Sequence, residues 1–399
     1  MQLLNKDIKD KVLESMIKYL DQDRESIIQA NKKDLEAFDR DDQALYDRLV
    51  VDDAKVNDMI RAVQEVKAQD DPVNKVISDR TLQNGLKITN KTAPFGTIMI
   101  IYESRPDVTI EAAVLAFKAN NKILLKGGKE AHSSNEALVE CWHKALKDHG
   151  LDKDWIQYLK MDRATTQAFL RNPDQPLDLI VPRGGERLIQ FVKEHAKCAV
   201  LVSGRGNNFA YIHKDADINK VVPVILNAKT DKISGCNALD KILIDKNHPD
   251  LEQVTSTVEE ILAEAGVEIV GTQESTKLLS SAKVMESEEV WYEEFLAMKA
   301  VIGLADGLSD AIEIINTYSG GHSNIILTET QDDAAVFMEQ VDSAAVYHNA
   351  STRFTDGGQM GVGAELAIST DKLHHRGPLG LKQLVTNKYY VLGDGQIRK

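Results

Sequence analysis

Cys236 lies in a stretch, Asn227 to Ala238, where small and polar residues surround a single thiol and where Lys229 and Lys232 are close in sequence. A thiol becomes a nucleophile when positive charge or backbone donors stabilise its thiolate. Cys236 is therefore a candidate for covalent catalysis, with a structural thiol as the other reading. Cys141, on an amphipathic stretch, and Cys198, opening an apolar one, read as buried structural thiols. Arg183-Gly184-Gly185 follows an apolar run and precedes a helical one. Such a turn lets backbone N–H groups approach a diphosphate at a helix N-terminus, or it is an ordinary tight turn. Lys126 and Lys129 flank two glycines at another strand end and suit a phosphate, above all a 2′-phosphate, or are solvated. Glu294 could hold ribose hydroxyls or simply face water. Arg105 and Arg353 sit in polar loops, where guanidinium forks bind carboxylate or phosphate or form surface ion pairs. Together they suggest a doubly anionic substrate. The 10 histidines show no metal-ligand spacing; the adjacent His374 and His375 would diverge, so no metal site is expected.

The elements that must position these residues follow from periodicity. Residues 7–38 read as helical, with Ile8, Val12, Leu13, Met16, Ile17 and Leu20 at spacings of three and four. From Pro94, short β-rich runs alternate with amphipathic stretches. The alternation restarts after Cys236, with helical readings at 250–265, 273–282 and 308–318 and a capping-box pattern, Thr330 with Asp333, before 331–341. Continuous apolar strands between helices predict parallel sheets covered on both faces, which bind ligands at the carboxyl ends of their strands. Two α/β domains are expected, joined through the helix 221–229, with an extra strand near 388–392. Gly204-x-Gly206 lacks the third glycine of a dinucleotide fingerprint.

Composition narrows the function. Of 399 residues, 62 are acidic and 48 basic, a net charge of −14, which argues against nucleic-acid binding. No apolar run reaches a membrane span of about 20 residues, and no secretory signal is read. Three cysteines without paired spacing fit a reducing cytoplasm.

Several segments taken together are familiar. They are Pro94-Phe-Gly-Thr-Ile98 with Ile101-Tyr-Glu-Ser-Arg-Pro106, Leu125 to Glu130, Pro182 to Gly185, Asn227-Ala-Lys-Thr230 with Cys236-Asn237, and Gly321-His-Ser323. They continue with Gln340 to Tyr347, Asn349-Ala-Ser-Thr-Arg-Phe-Thr-Asp-Gly-Gly358 and Lys372 to Pro378. In this order the chain resembles the γ-glutamyl phosphate reductases, a branch of the aldehyde dehydrogenase superfamily, over nearly its whole length. The resemblance implies an α/β, aldehyde-dehydrogenase-like fold of two Rossmann-like parallel-sheet domains plus a small bridging, oligomerisation element. It maps as an NADP(H)-binding domain over 1–230, to which 80–93 contribute bridging strand, a catalytic domain over 231–385 and an oligomerisation strand over 386–399. It implies NADPH-dependent reduction of L-glutamyl 5-phosphate to L-glutamate 5-semialdehyde and phosphate through a cysteine thioester, the second step of proline biosynthesis from glutamate. It also implies a homodimer, and the lability of acyl phosphates is compatible with transient contact with glutamate 5-kinase.

Residue by residue, Cys236 matches the nucleophile. Lys126, Gly184, Gly185 and Glu294 match cofactor contacts, and Lys129 is a cation where NAD-preferring members often have an acid. Arg105, Ser351, Thr352 and Arg353 match substrate contacts. Asp107 aligns where an asparagine commonly serves as oxyanion donor. An ionised Asp cannot donate, so either Asp107 is protonated or turned away, or backbone N–H groups around Cys236 and Asn237 take the role. The stretch Leu201 to Gly206 has no acid where hydrolytic relatives carry a general base. A hydrolytic aldehyde dehydrogenase and a non-catalytic homologue remain the alternative readings.

Overall fold

The computed structural model describes residues 2–38, 43–372 and 375–398; His374 lies outside them. The chain divides into two units. The first comprises Met1–Val202, Gly361–Ala367 and Leu379–Lys399, and the second Ser203–Met360 and Ile368–Pro378.

The first unit opens with helices α1 (Lys6–Gln22), α2 (Arg24–Ala37), α3 (Gln43–Leu49) and α4 (Asp53–Ala68). Asn5 caps α1 by accepting from the Ile8 N–H, and Val12, Leu13, Met16 and Leu20 form its buried stripe. The periodicity read as helical over 7–38 is broken at Asp23, whose carboxylate takes a 2.6 Å hydrogen bond from Lys144 Nζ. Asp23 turns the chain there, and both halves pack on α6 (His132–Asp148). Asp34 of α2 accepts from the Ser133 and Ser134 N–H groups and so caps α6 from a distance. Antiparallel β1 (Val76–Thr81) and β2 (Lys87–Pro94) precede β3 (Thr97–Tyr102).

β3 is buried along its length, the burial that its unbroken apolar run predicts. It lies at the centre of a five-stranded parallel sheet with β4 (Lys122–Lys126), β5 (Ile156–Tyr158), β6 (Leu179–Arg183) and β7 (Ala199–Val200), in the order β5-β4-β3-β6-β7. The connecting helices are α5 (Pro106–Lys118), α6, α7 (Arg163–Arg171) and α8 (Glu186–His195). The strand order reverses between β3 and β6, so this is a doubly wound sheet with its switch point there.

The second unit is built on a seven-stranded parallel sheet ordered β11-β10-β12-β9-β8-β13-β14. Its strands are β8 (Asn208–Ile212), β9 (Leu239–Asp245), β10 (Glu268–Gly271), β11 (Lys283–Val284), β12 (Lys299–Ala305), β13 (Ser323–Leu327) and β14 (Ala345–His348). Helices α9 (Ile218–Thr230), α10 (Leu251–Glu264), α11 (Gly307–Tyr318) and α12 (Gln331–Gln340) connect them, and two short strands, β15 (Ile368–Ser369) and β16 (Gly377–Pro378), pair antiparallel. The boundary expected near 230 falls at Val202/Ser203. β8 pairs with β9 and β13, which places β8 and α9 in the second core.

Two local expectations also fail for side-chain reasons. Over 273–282 only the single turn Ser275–Lys277 is helical. The Ser275 and Thr276 hydroxyls donate to Thr272 O, and the Ser280 and Ser281 N–H groups donate to Glu259. Such hydroxyl and backbone bonds compete with a helix. Thr330 begins α12 without a side-chain cap; its hydroxyl points to Asp215 and donates there.

The chain ends with β17 (Val385–Leu392), which pairs with β2 in a three-stranded sheet ordered β1-β2-β17 that belongs to the first unit. Beyond Val385 it is exposed. No helix among the described residues is long and apolar enough to cross a membrane.

Candidate active site

The proposed site residues divide between the two units. Cys236, Asn237, Glu294, Ser351, Thr352 and Arg353 are in the second, and Arg105, Asp107, Lys126, Lys129, Gly184 and Gly185 in the first.

In the second unit Cys236 sits half-buried in the short loop between α9 and β9. The buried Asn208 side chain donates to Cys236 O at 2.8 Å and to Ala238 O at 2.6 Å, and its own oxygen accepts from the Ser323 N–H at 3.0 Å. Gly206 lies against the Cys236 backbone: a Cβ there would fall 2.5 Å from Cys236 Cα. A glycine is required by this close approach. Cys141 is buried as expected, whereas Cys198 is half-buried like Cys236. Burial pushes the Cys141 thiol up to about 12 and also raises that of Cys198, so both are poor nucleophiles.

The Asn237 side chain holds its own turn and offers no free amide donor. Both hydrogens of its amide are committed, to Thr355 O at 2.9 Å and Arg353 O at 3.3 Å. Thr352 is likewise withdrawn from the expected substrate contact. It is fully buried and donates to Asn237 O at 2.6 Å. Ser351, 5 % exposed, accepts from the Arg353 N–H. These bonds shape the turn that presents Arg353. Its Nη1 lies beside Gly235, where a Cβ would meet it at 2.8 Å, and its Nε donates to Asp231 at 3.0 Å.

The motif Gly321-His322-Ser323 supports the same turn. His322 Nδ1 bonds Ser323 Oγ, and Thr355 Oγ1 links Ser323 Oγ to the Tyr347 hydroxyl. Burial pushes His322 down to about 4, so the ring is neutral. Sequence reasoning missed Asn208 and Asp231, and it named Gly206 only as part of an incomplete dinucleotide fingerprint and of a stretch without a general base.

In the first unit the residues gather after β3 and β6, at the switch point. Tyr102 and Arg183 pair across these strands. Asp107 is 7 % exposed, 2.8 Å from Lys55 Nζ and 3.7 Å from Arg105. Burial works to raise its carboxyl, but Arg105, Lys55 and Arg183 outweigh burial and hold it below the ordinary value. Asp107 is therefore ionised and cannot be an oxyanion donor. Burial and the Asp107 charge raise the neighbouring Glu111. Arg183 Nη1 is buried without a hydrogen-bond partner.

Gly185 caps α8 with extended backbone and no side-chain hydrogen bond. A Cβ on it would meet nothing within 4 Å, whereas one on Gly184 would strike Leu188 and Glu103. Uncapped first-turn N–H groups at an open glycine fit the diphosphate of a dinucleotide. Lys126 ends β4 half-buried, donating to Gly127 O, and burial lowers its pKa; Lys129 is exposed. Glu130 was not singled out by sequence. It accepts from the Ser104 N–H and hydroxyl and so fixes the turn carrying Arg105. Among the described residues no cluster of three His, Cys, Asp or Glu side chains could hold a metal ion.

Residues 9–278 match the aldehyde dehydrogenase family, whose members use a nicotinamide cofactor. The chain is 40% identical to γ-glutamyl phosphate reductase 2 of Bacillus licheniformis over 100% of this chain and 94% of that protein. It is 41% identical to the γ-glutamyl phosphate reductase of Nautilia profundicola over 99% and 96%. The crystal structure of the Thermotoga maritima γ-glutamyl phosphate reductase superposes with a TM-score of 0.94 at 39% identity, covering 99% of this chain and 95% of that one. By sequence and by fold, the chain belongs to the γ-glutamyl phosphate reductases of the aldehyde dehydrogenase family.

Proposed function

We propose that this protein reduces L-glutamyl 5-phosphate to L-glutamate 5-semialdehyde and phosphate with NADPH, the second step of proline biosynthesis from glutamate. The observation that carries the reading is the Cys236 loop, with its backbone clamped by Asn208 and the Arg353 guanidinium beside Gly235. A nucleophile held next to a cation suits an anionic acyl donor.

The Cys236 thiolate attacks the acyl-phosphate carbonyl, a C–S bond forms and phosphate leaves with the C–O electron pair. When bound, the reduced nicotinamide supplies hydride to the thioester carbon. The resulting thiohemiacetal oxyanion collapses to aldehyde and regenerates the thiolate, so no proton is consumed at the sulfur. With Asp107 ionised and the Asn237 amide committed, the backbone N–H groups of Cys236 and Asn237 stabilise the oxyanion in this reading. Such donors are worth about 10²–10³ in rate. Arg105, with Lys55 beside the same carboxylate, and Arg353 grip the substrate anions. Gly184, Gly185 and Lys126 hold the cofactor phosphates, Glu294 its ribose hydroxyls, and Lys129 favours the 2′-phosphate.

A cytoplasmic homodimer joined through the β1-β2-β17 sheet completes the proposal. Its support is the run of exposed Tyr389, Val391 and Leu392 on an edge strand, a surface that needs covering.

The reverse reaction tests the function: glutamate 5-semialdehyde and NADP⁺ with and without inorganic phosphate, followed by NADPH absorbance. Strict phosphate dependence is expected. Equal rates without phosphate would make the enzyme hydrolytic, and no signal in either case would remove this substrate.

A further inference from the structure

β9 starts three residues after Cys236, and its first turn of chain is irregular. Leu239 pairs with Asn208 and Lys241 with Phe209, so Asp240 is an extra residue in the ladder. A bulge of this kind re-aims side chains that a regular strand would send to opposite faces. Here Asp240 and Lys241, both buried, reach one segment. Lys241 Nζ donates to Glu293 O at 2.7 Å, and the Phe295 N–H donates to Asp240 Oδ2 at 2.9 Å. The residue between the two gripped peptides is Glu294.

The two anchors differ in charge balance. Asp240 is neutralised by the buried Lys229 of α9 at 2.8 Å. Lys241 makes none of the ion pairs found among the described residues. Its ammonium stands 3.8 Å from the centre of the Phe295 ring, which Lys299 of β12 approaches from 4.6 Å. A buried cation without a carboxylate is costly, and an apolar side chain would fill the same space more cheaply. Holding the 293–295 backbone is the role left for it.

We propose that Asp240 and Lys241 are positioning residues that clamp the chain on either side of Glu294 and so aim its carboxylate at a ribose diol of the nicotinamide dinucleotide. The inference rests on the reading of Glu294 as the ribose ligand and adds how that ligand is held. It also ties the cofactor segment to the strand that the nucleophile loop enters. Burial lowers the Lys241 pKa to about 7, against Asp240, with Lys229, Glu293 and Lys299 also facing it. The ammonium that pins Glu293 and the Phe295 ring is thus lost as pH rises through neutrality.

The test is NADPH affinity, measured by fluorescence titration of the whole enzyme, for wild type, K241M, K241Q, E294Q and K241M/E294Q. Thermal melting checks that each variant is folded. K241M should weaken NADPH about tenfold, the loss of a charge-assisted bond felt through one intermediary. K241Q, which keeps a donor toward Glu293 O, should recover most of it. K241M should have no further effect in the E294Q background. If E294Q binds NADPH as wild type does, the ribose reading itself fails, and the positioning role falls with it. If E294Q weakens binding but K241M does not, or does so additively with E294Q, the ribose reading survives and the clamp is overturned.

Discussion

The two parallel sheets use opposite ends of their strands. In the first unit the carboxyl ends at the switch point lead into the functional loops, with Arg105 following β3 and Arg183-Gly184-Gly185 following β6. This is where open α/β sheets ordinarily bind ligands. In the second unit the corresponding switch point lies between β8 and β13, and the protein fills it with its own side chains. His213, 3 % exposed, lies 2.6 Å from Asp215 and 3.4 Å from Asp333. Thr328 and Thr330 both donate to Asp215. The Cys236 loop instead lies at the amino ends, where Asn208 begins β8 and Ser323 begins β13. A switch point marks where loops diverge. Whether a ligand can use it depends on whether polar groups there are left over, as at Arg183, or consumed, as at Asp215.

The largest effect should come from the atom that reacts. Cys236→Ser is expected to cut turnover by on the order of 10⁴-fold or more. NADPH affinity should stay unchanged, since Asn208 binds the backbone oxygen of residue 236 and not its sulfur. A parallel loss of cofactor binding would make the cysteine a packing residue.

The next test moves the nucleophile without changing it. Gly206→Ala forces a methyl against the Cys236 backbone, and a displacement near 1 Å is worth about 10²-fold in rate. The loss should appear in turnover and not in NADPH affinity. A fully active alanine variant would show that the loop yields and that the amino-end site is not rigid.

Much of this was legible in the sequence because it was periodic or compositional. Apolar strand runs such as that of β3 and helical spacings such as that of α1 made the parallel sheets and the first helices legible. Cys236, Arg183-Gly184-Gly185 and Arg353 stood out by residue type and by their places between elements. What stayed hidden depends on partners distant in sequence. Asn208 holds Cys236 from 28 residues away, and nothing local distinguishes it from a surface asparagine. Arg105 stands in the same motif as Asp107, but the 2.8 Å partner Lys55 of α4 is one that no motif around Asp107 encodes. Thr352 was expected as a substrate contact from its place in the family motif; only the structure shows its hydroxyl already spent on Asn237 O. The unit boundary was missed because a strand's sheet is fixed by pairing and not by its own pattern.

A smaller effect should follow from the cation beside the nucleophile. Arg353→Ala is expected to raise the KM for the acyl phosphate about tenfold, the scale of one lost charge-assisted contact, with NADPH affinity unchanged. Asp231→Asn, which loosens the partner 3.0 Å from Arg353 Nε, should raise it less. An unchanged KM in the alanine variant would move the anion grip to Arg105 and Lys55 alone.

The smallest catalytic effect, and the sharpest check on the contrast between the sheets, comes from the filled switch point. Asp215→Asn should leave kcat and both KM values near wild type, because nothing reacts at that end. It should cost about 1–3 kcal/mol of stability, the range for leaving buried hydroxyl and imidazole partners poorly satisfied. The pH dependence carries the sign. Burial works to raise the Asp215 carboxyl, but bonds from Thr328, Thr330 and His213 outweigh it and hold its pKa below the ordinary carboxylate value. Its contribution is therefore present above the unfolded value near 4 and is lost as pH falls toward the folded one. Urea unfolding of wild type should weaken along that acid limb, and the asparagine variant should lack this part of the slope. A variant with wild-type stability and lowered turnover would reverse the argument, making the carboxyl end of the second sheet a working site.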